Sequence, residues 1–308
     1  MSTTAHGEPG AQKERDPAEI LLRSIENDRV HSAYLLTGSG YAPLEAALGF
    51  ARALVCREGT GVACEACAGC QRSAAAEDEI TIDGKGKRGP TYRHIGDHPD
   101  LLWVERGSDD TRVTIGQIRD VQAALRLAAN EGGRRCAVIA DAEWLNPQAQ
   151  NALLRLLEEP PPATTLVLVA SRASAIIATI RSRSVRVRFP VVQVGIRDAE
   201  LPESVSDIVQ TLDGLAALSI GDVLDLAENY RGARATAADH VTELVDVAAQ
   251  WLNEDVKNRV ARGERPAHRE LDAYRSLQQL RRDLIQRNAN PQMVAERLLL
   301  GLRDVVTG

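Results

Sequence analysis

The sequence is poor in aromatic residues: 2 Phe, 3 Trp and 5 Tyr among 308, or 3%. Recognition of single-stranded nucleic acid by base stacking needs more aromatic faces than that. No apolar run approaches the ~20 residues of a membrane-spanning helix, and no signal peptide opens the chain, so a soluble cytoplasmic protein is expected. A basic excess is missing too. Against 43 acidic residues stand 37 basic ones, a net charge of −6, which excludes a chain that is wholly a basic nucleic-acid-binding domain. What is plentiful is apolar: 44% hydrophobic residues suit a folded chain, and the length suits roughly two domains.

Residues 1–17 hold only Met1, Ala5 and Ala11 as apolar residues and are expected to form a flexible tail. Apolar runs at 33–36, 101–104, 136–140 and 166–170 predict buried strands, and the alternation Val185-Arg186-Val187-Arg188-Phe189 predicts an edge strand. Helical patterns separate them. One covers 43–55; a second opens on the capping box Thr114…Gln117; a third starts at Asn146-Pro147 and stops at Pro160. Strands alternating with helices predict a mostly parallel sheet with right-handed crossovers. After Pro190 the strand signal ends, and 219–231, 235–262, 268–287 and 291–307 read as helices. The fold class is α/β followed by all-α. Within the α/β part, 73–99 reads as an irregular insertion whose tip is Asp83-Gly84-Lys85-Gly86-Lys87-Arg88-Gly89-Pro90.

A phosphate loop would lie between the first strand and helix. It requires G-x-x-x-x-G-K-[ST], in which backbone N–H groups cradle phosphates, Lys reaches the outer ones and a hydroxyl holds Mg²⁺. The eight positions start at Gly38-Ser39-Gly40-Tyr41-Ala42 and end in Pro43, Leu44 and Glu45. Pro43 lacks an N–H, Leu44 lacks a charge and Glu45 repels phosphate, so neither a bound nucleotide cofactor nor ATP hydrolysis is expected. The third strand ends in Asp141, where a hydrolase would hold Mg²⁺, but the next residue is Ala142 rather than an acid that activates water.

Five cysteines are present, and four follow C-x7-C-x2-C-x2-C: Cys56, Cys64, Cys67 and Cys70. Four thiolates at this spacing can surround one tetrahedral Zn²⁺ and leave no open position, so a structural zinc is expected, one per chain. A disulfide pair is the alternative, disfavoured in a reducing compartment. Cys136 falls inside a strand and reads as core. Arg181-Ser182-Arg183-Ser184 precedes the last strand. Arginine offers a planar fork of donors suited to phosphate, yet this stretch also reads as a solvated basic edge.

These stretches together resemble the AAA+ clamp-loader family of bacterial replicases, in particular its delta-prime members. The resemblance is carried by His31–Gly38, the cysteine knuckle, His98-Pro99-Asp100, Asn151-Ala152-Leu153-Leu154-Arg155-Leu156-Leu157-Glu158-Glu159-Pro160-Pro161, and Ile180-Arg181-Ser182-Arg183-Ser184. It implies a P-loop-NTPase-like AAA+ domain at 18–190 with a zinc knuckle at 56–70, a reduced lid or linker at 191–212, and a helical collar for oligomerisation at 213–308. In the collar, Leu277, Leu280, Leu284, Leu298, Leu299 and Leu302 would be buried. It also implies a non-hydrolysing subunit of DNA polymerase III, a DNA-directed DNA polymerase. The subunit would assemble with gamma/tau and delta subunits and help load the sliding clamp on primed DNA at the replication fork. Arg183 matches the family's trans-acting arginine finger, while Ser184 replaces the motif's cysteine. Two other functions compete: a self-sufficient gamma-type ATPase, and a zinc-knuckle protein that binds nucleic acid through Lys85, Lys87 and Arg88.

Overall fold

The computed structural model describes residues 16–38, 40–74, 80–107, 110–127, 129, 133–190, 201–265 and 268–307. The strands are β1 Ala33–Thr37, β2 Arg93–Ile95, β3 His98–Val104, β4 Arg135–Ile139, β5 Thr164–Ala170 and β6 Val185–Arg188. They form one sheet in the order β2-β3-β4-β5-β1-β6. Only β2–β3 is antiparallel; every other pairing is parallel. The helices among them are α1 Pro17–Glu26, α2 Ala42–Leu54, α3 Ala68–Arg72, α4 Ile115–Arg126, α5 Pro147–Glu158 and α6 Ala178–Arg181. Then follow α7 Glu203–Gly214, α8 Ile220–Glu228, α9 Arg234–Ala261, α10 His268–Arg287 and α11 Pro291–Thr307. The α/β part and the all-helical part thus succeed each other as the sequence pattern predicts. Among the described residues no helix is long and apolar enough to cross a membrane.

Strand alternation builds two cores. Leu35, Leu102, Ile139 and Leu168 join Ile118, Val121 and Leu153 of α4 and α5, while Tyr34, Leu36, Val138 and Val167 join Ala47, Phe50 and Leu54 of α2. Covered on both faces, the central strands read as continuous apolar runs, and β6 at the edge alternates. The expected caps are in place. Thr114 and Gln117 bond reciprocally, and Asn146 accepts from the Ala149 N–H.

Five elements have no counterpart in the sequence expectations: the one-turn helices α3 and α6, and α1, β2 and α7. Helix α1 starts where Asp16 accepts the Ala18 N–H and Pro17 occupies the first turn; Leu21 is buried in it, and Ile20 and Ile25 pack against the same core, a short apolar stripe directly after the polar tail. Strand β2 is three residues long inside the 73–99 insertion. Helix α7 lies in the stretch expected as a linker, where Val205, Ile208, Val209 and Leu212 pack against the helical core. Residues 1–15 of the expected tail and 191–200 of the expected linker lie outside the described residues.

The six collar leucines all lie in the helical core. Trp144, from the turn after β4, joins that same core and so ties the sheet to the helices. Arg281 of α10 completes the tie. Its side chain is 2% exposed, with Nη2 3.5 Å from Glu143 and Nε 3.3 Å from Asp246 of α9. It also donates to Ser171 Oγ at 2.7 Å. Beside it, Arg172 donates to Gln278, and Arg112 donates to the Gln286 carbonyl at 2.7 Å. Removing one partner of a buried pair leaves uncompensated charge. Arg281→Ala is therefore expected to lower the unfolding free energy by about 2–3 kcal/mol, and Arg281→Lys by less. Urea denaturation measures both; a loss below about 0.5 kcal/mol for Arg281→Ala would contradict this role.

Candidate functional site

The carboxyl ends of β1, β4 and β5 meet at one edge of the sheet, where parallel α/β proteins take their ligands. Gly38 follows β1, and its N–H donates to the Ala170 carbonyl at the end of β5. This turn is crowded. A Cβ on Gly38 would lie 2.8 Å from Phe189 Cβ and 3.1 Å from Pro43 Cγ. Helix α2 begins without a side-chain cap. Pro43 is buried, and Leu44, at the position of a phosphate-loop lysine, packs partly into the apolar core. Glu45 and Gly40 are exposed, and Gly40 has a φ of +75°.

At the end of β4, Asp141 is already engaged. Its Oδ2 accepts from the Arg106 backbone N–H at 2.9 Å and from Arg106 Nε at 3.2 Å. Arg106 stacks over the Trp144 ring at 4.2 Å and reaches Asp239 of α9 at 2.5 Å. Burial alone would lower the arginine's pKa, but Asp141 and Asp239 outweigh it and hold the pKa above its ordinary value. Ala142 is buried, and Glu143, one residue further on, bonds Ser171 Oγ at 2.6 Å. The edge that could serve a nucleotide is thus tied to the helical region. Arg106, Trp144, Asp239 and Arg281 were not marked by the sequence, where each is a solitary residue outside any motif.

Arg183 lies at the opposite edge of the sheet from β2, in the turn between α6 and β6. Its Nη1 donates to the Thr179 carbonyl at 3.1 Å and its Nη2 to Glu158 at 3.0 Å. The side chain remains 39% exposed. Ser184, where the family motif has cysteine, bonds the Ile180 carbonyl at 2.9 Å and so closes the α6 turn.

The sulfurs of Cys56, Cys64, Cys67 and Cys70 all lie within 4.8 Å of one another. All are free thiols, so the chain folds the four together without a disulfide. This set could hold a metal ion. Backbone N–H groups of Arg57 and Cys70 pull the Cys67 thiol down to about 6, while burial pushes Cys70 up to about 12. Arg52 of α2 braces the knuckle through Glu65 at 2.6 Å and the Cys70 carbonyl at 3.4 Å. A Cβ on Gly69 would meet the Val55 carbonyl at 2.4 Å, so only glycine lets α3 pack this closely. Cys136 is separate, buried in β4, and burial raises its pKa.

The insertion tip is moulded on Asp83, whose carboxylate accepts the N–H groups of Lys85, Lys87 and Arg88 at 2.9, 2.7 and 2.6 Å. Lys85 also pairs with Asp110 at 3.3 Å. The motif His98-Pro99-Asp100 is architectural. His98 Nδ1 accepts the Asp100 N–H, and buried Asp100 lies 3.2 Å from Arg135 Nε on β4.

Fold and site together define a P-loop-like α/β protein that has Leu44 where a phosphate loop has lysine and whose strand-end acid, Asp141, is ion-paired. A family model described as "DNA polymerase III, delta subunit" matches residues 13–193. The chain is 29% identical over 234 residues to the DNA polymerase III subunit delta' of Bacillus subtilis, covering 75% of this chain and 64% of that protein. It is 30% identical over 231 residues to the delta' subunit of Pseudomonas aeruginosa, covering 72% of this chain and 64% of that protein. Among solved structures it is similar to a gamma-subunit-related protein of Thermotoga maritima, at 18% identity and a TM-score of 0.43, covering 94% of this chain and 99% of the other. The match thus spans 64% of the length of these two curated relatives. The chain belongs to the DNA polymerase III delta-subunit family.

If Asp141 serves the fold, removing it costs stability. Asp141→Ala is expected to destabilise by about 1–2 kcal/mol, because Arg106 is left buried with one acid instead of two. A thermal melt decides; an unchanged Tm would show the carboxylate to be dispensable to the fold.

Proposed function

We propose that this chain is a non-hydrolysing delta-prime subunit of the bacterial clamp loader. It assembles with gamma/tau and delta subunits and helps place the sliding clamp on primed DNA. In this reading an α/β unit at 18–190 carries the interface chemistry and a helical unit at 213–308 forms the collar. Helix α7 packs with the collar and shortens the linker. The observation that carries the reading is the Arg106–Asp141 ion pair, which occupies the carboxylate that a hydrolase would give to Mg²⁺. Leu44 in place of the phosphate-loop lysine and the crowding at Gly38 support it.

The chemical contribution of the chain is then made to a neighbour. Arg183, exposed and always charged, would meet the γ-phosphate of ATP bound to an adjacent ATPase subunit. Phosphoryl transfer builds charge on the equatorial oxygens, and an arginine supplied in trans is worth about 10³–10⁵ in rate at the site it serves. Cys56, Cys64, Cys67 and Cys70 would hold a zinc ion, which closes the knuckle as four thiolates complete a tetrahedral shell. The N–H groups aimed at Cys67 favour its thiolate, whereas burial of Cys70 opposes its ionisation, which a bound cation would offset.

Three measurements test this. Arg183→Ala is expected to cut the DNA- and clamp-stimulated ATPase of the complex reconstituted with gamma/tau and delta, while assembly on size exclusion is retained. Arg183→Lys, which lacks the planar fork, restores little of it. Unchanged turnover for Arg183→Ala would end the trans-acting reading. Titration of the isolated chain with labelled ATP is expected to show no binding, whereas a self-sufficient gamma-type ATPase would bind. Metal analysis under reducing conditions is expected to find one zinc per chain, with stripping by a chelator lowering the Tm. A metal-free purified chain of unchanged stability would refute the ligand assignment.

A further inference from the structure

The stretch from Asn151 to Pro161 is the most specific part of the resemblance, and the function proposed above leaves its acids without a task. The structure places one of them against Arg183. Glu158 is the last residue of α5, and its Oε1 lies 3.0 Å from Arg183 Nη2. On the other side, Arg183 Nη1 donates to the Thr179 carbonyl of α6 at 3.1 Å. The two contacts come from different helices and grip the two Nη atoms of one guanidinium.

A guanidinium carries five N–H donors. These contacts use two and leave three: the Nε–H and one hydrogen on each Nη. We propose that Glu158 is a positioning residue for Arg183, holding the guanidinium from one side so that its remaining donors are presented to the phosphate of a neighbouring subunit. This rests on the trans-acting role of Arg183 proposed above. An unrestrained arginine side chain loses about 2 kcal/mol of rotamer entropy when it is fixed. Held in advance, it loses most of that on folding rather than at the transition state, which is the advantage of a preset geometry. The nearby carboxylate also weakens the pull of the guanidinium on phosphate. With side chains 39% and 52% exposed, water screens that opposing effect, so orientation dominates.

The proposal requires an acceptor at the reach of a glutamate side chain. Glutamine keeps that acceptor without the charge, aspartate falls one methylene short, and alanine removes it. The test uses the complex reconstituted with gamma/tau, delta, clamp and primed DNA. The quantity followed is the Arg183-dependent turnover, defined as wild-type kcat minus that of Arg183→Ala. Glu158→Ala is expected to lower this turnover about five-fold with KM for ATP unchanged. Glu158→Gln should keep most of it and Glu158→Asp little, with unchanged melts and assembly for all three. The double variant Glu158→Ala with Arg183→Ala should be no slower than Arg183→Ala alone.

Wild-type turnover in Glu158→Ala, with Arg183→Ala impaired, would overturn the positioning role and leave the trans-acting arginine standing. Faster turnover in Glu158→Ala would also overturn it, by showing that the acid restrains the finger. Additive losses in the double variant would show that Glu158 acts independently of Arg183. An unimpaired Arg183→Ala would remove the reading on which the proposal rests. Should Glu158→Ala fail to assemble, the ranking of Glu158→Gln over Glu158→Asp decides.

Discussion

Two buried guanidinium groups set the terms for the rest of the molecule. A charge withdrawn from water costs several kcal/mol unless it is paired and hydrogen-bonded. Arg106 and Arg281, with side chains 9% and 2% exposed, therefore need acids wherever they are buried. Each takes one acid from the end of the sheet and one from α9. Arg106 lies between Asp141 and Asp239, Arg281 between Glu143 and Asp246. Asp239 and Asp246 are seven residues apart, two turns along one face of the helix. Helix α9 is thereby fastened to the sheet at two points, once through Arg106 and once through Arg281 of α10, and the Trp144 ring lies under Arg106 and in the helical core.

This arrangement sets architecture against catalysis at the carboxyl edge of the sheet. A hydrolase leaves its strand-end acids open to a metal and to water, with donors and acceptors reserved for ligand. Here those acids are satisfied by arginine, and Ser171 at the end of β5 is bonded to both Glu143 and Arg281. On the non-hydrolysing reading proposed above, Arg106 takes up the carboxylate that a hydrolase would offer to a metal. Drawing Asp141 away from Arg106 would leave a buried guanidinium with one acid instead of two, so the fastening opposes use of this carboxylate for any other cation.

Much of the fold was legible because buried parallel strands announce themselves as apolar runs and because Thr114, Asn146 and Pro160 mark helix ends by known chemistry. The cysteine cluster was equally plain, since C-x2-C-x2-C brings sulfurs together locally. The missing lysine at Leu44 and the missing acid at Ala142 were visible as substitutions in an expected frame. What escaped were features with weak or nonlocal signals. Helix α1 carries only a short apolar stripe, and β2 has only three residues, pairing through an irregular register at His94 and Ile95. Arg106 and Arg281 each pair with one acid 35 positions away and one more than 130 away, and although Asp141 stands out as a strand-end acid, no local pattern marks the arginines as its partners or as those of Glu143, Asp239 and Asp246. Arg172 and Arg112, which also bridge sheet and helices, are hidden for the same reason.

The arginines differ in what they can give up, and burial decides it. Breaking the Arg281 or Arg106 pairs would leave a guanidinium short of a partner where water hardly reaches it, a loss of about 1–3 kcal/mol that keeps the pairs in place. The Arg183–Glu158 pair is exposed on both sides, and such pairs contribute only ~0–1 kcal/mol, because water compensates either group when they part. Arg183 can therefore turn its remaining donors to an incoming phosphate at little cost while Glu158 stays in place, whereas Arg106 and Arg281 cannot. One residue type thus serves as a fastener at one edge of the sheet and as an available cation at the other. The difference lies in side-chain exposure of 2–9% against 39%. On the trans-acting reading proposed above, the guanidinium offered to a neighbour's phosphate is therefore the exposed one beside β6, not the buried ones at the carboxyl ends of the strands.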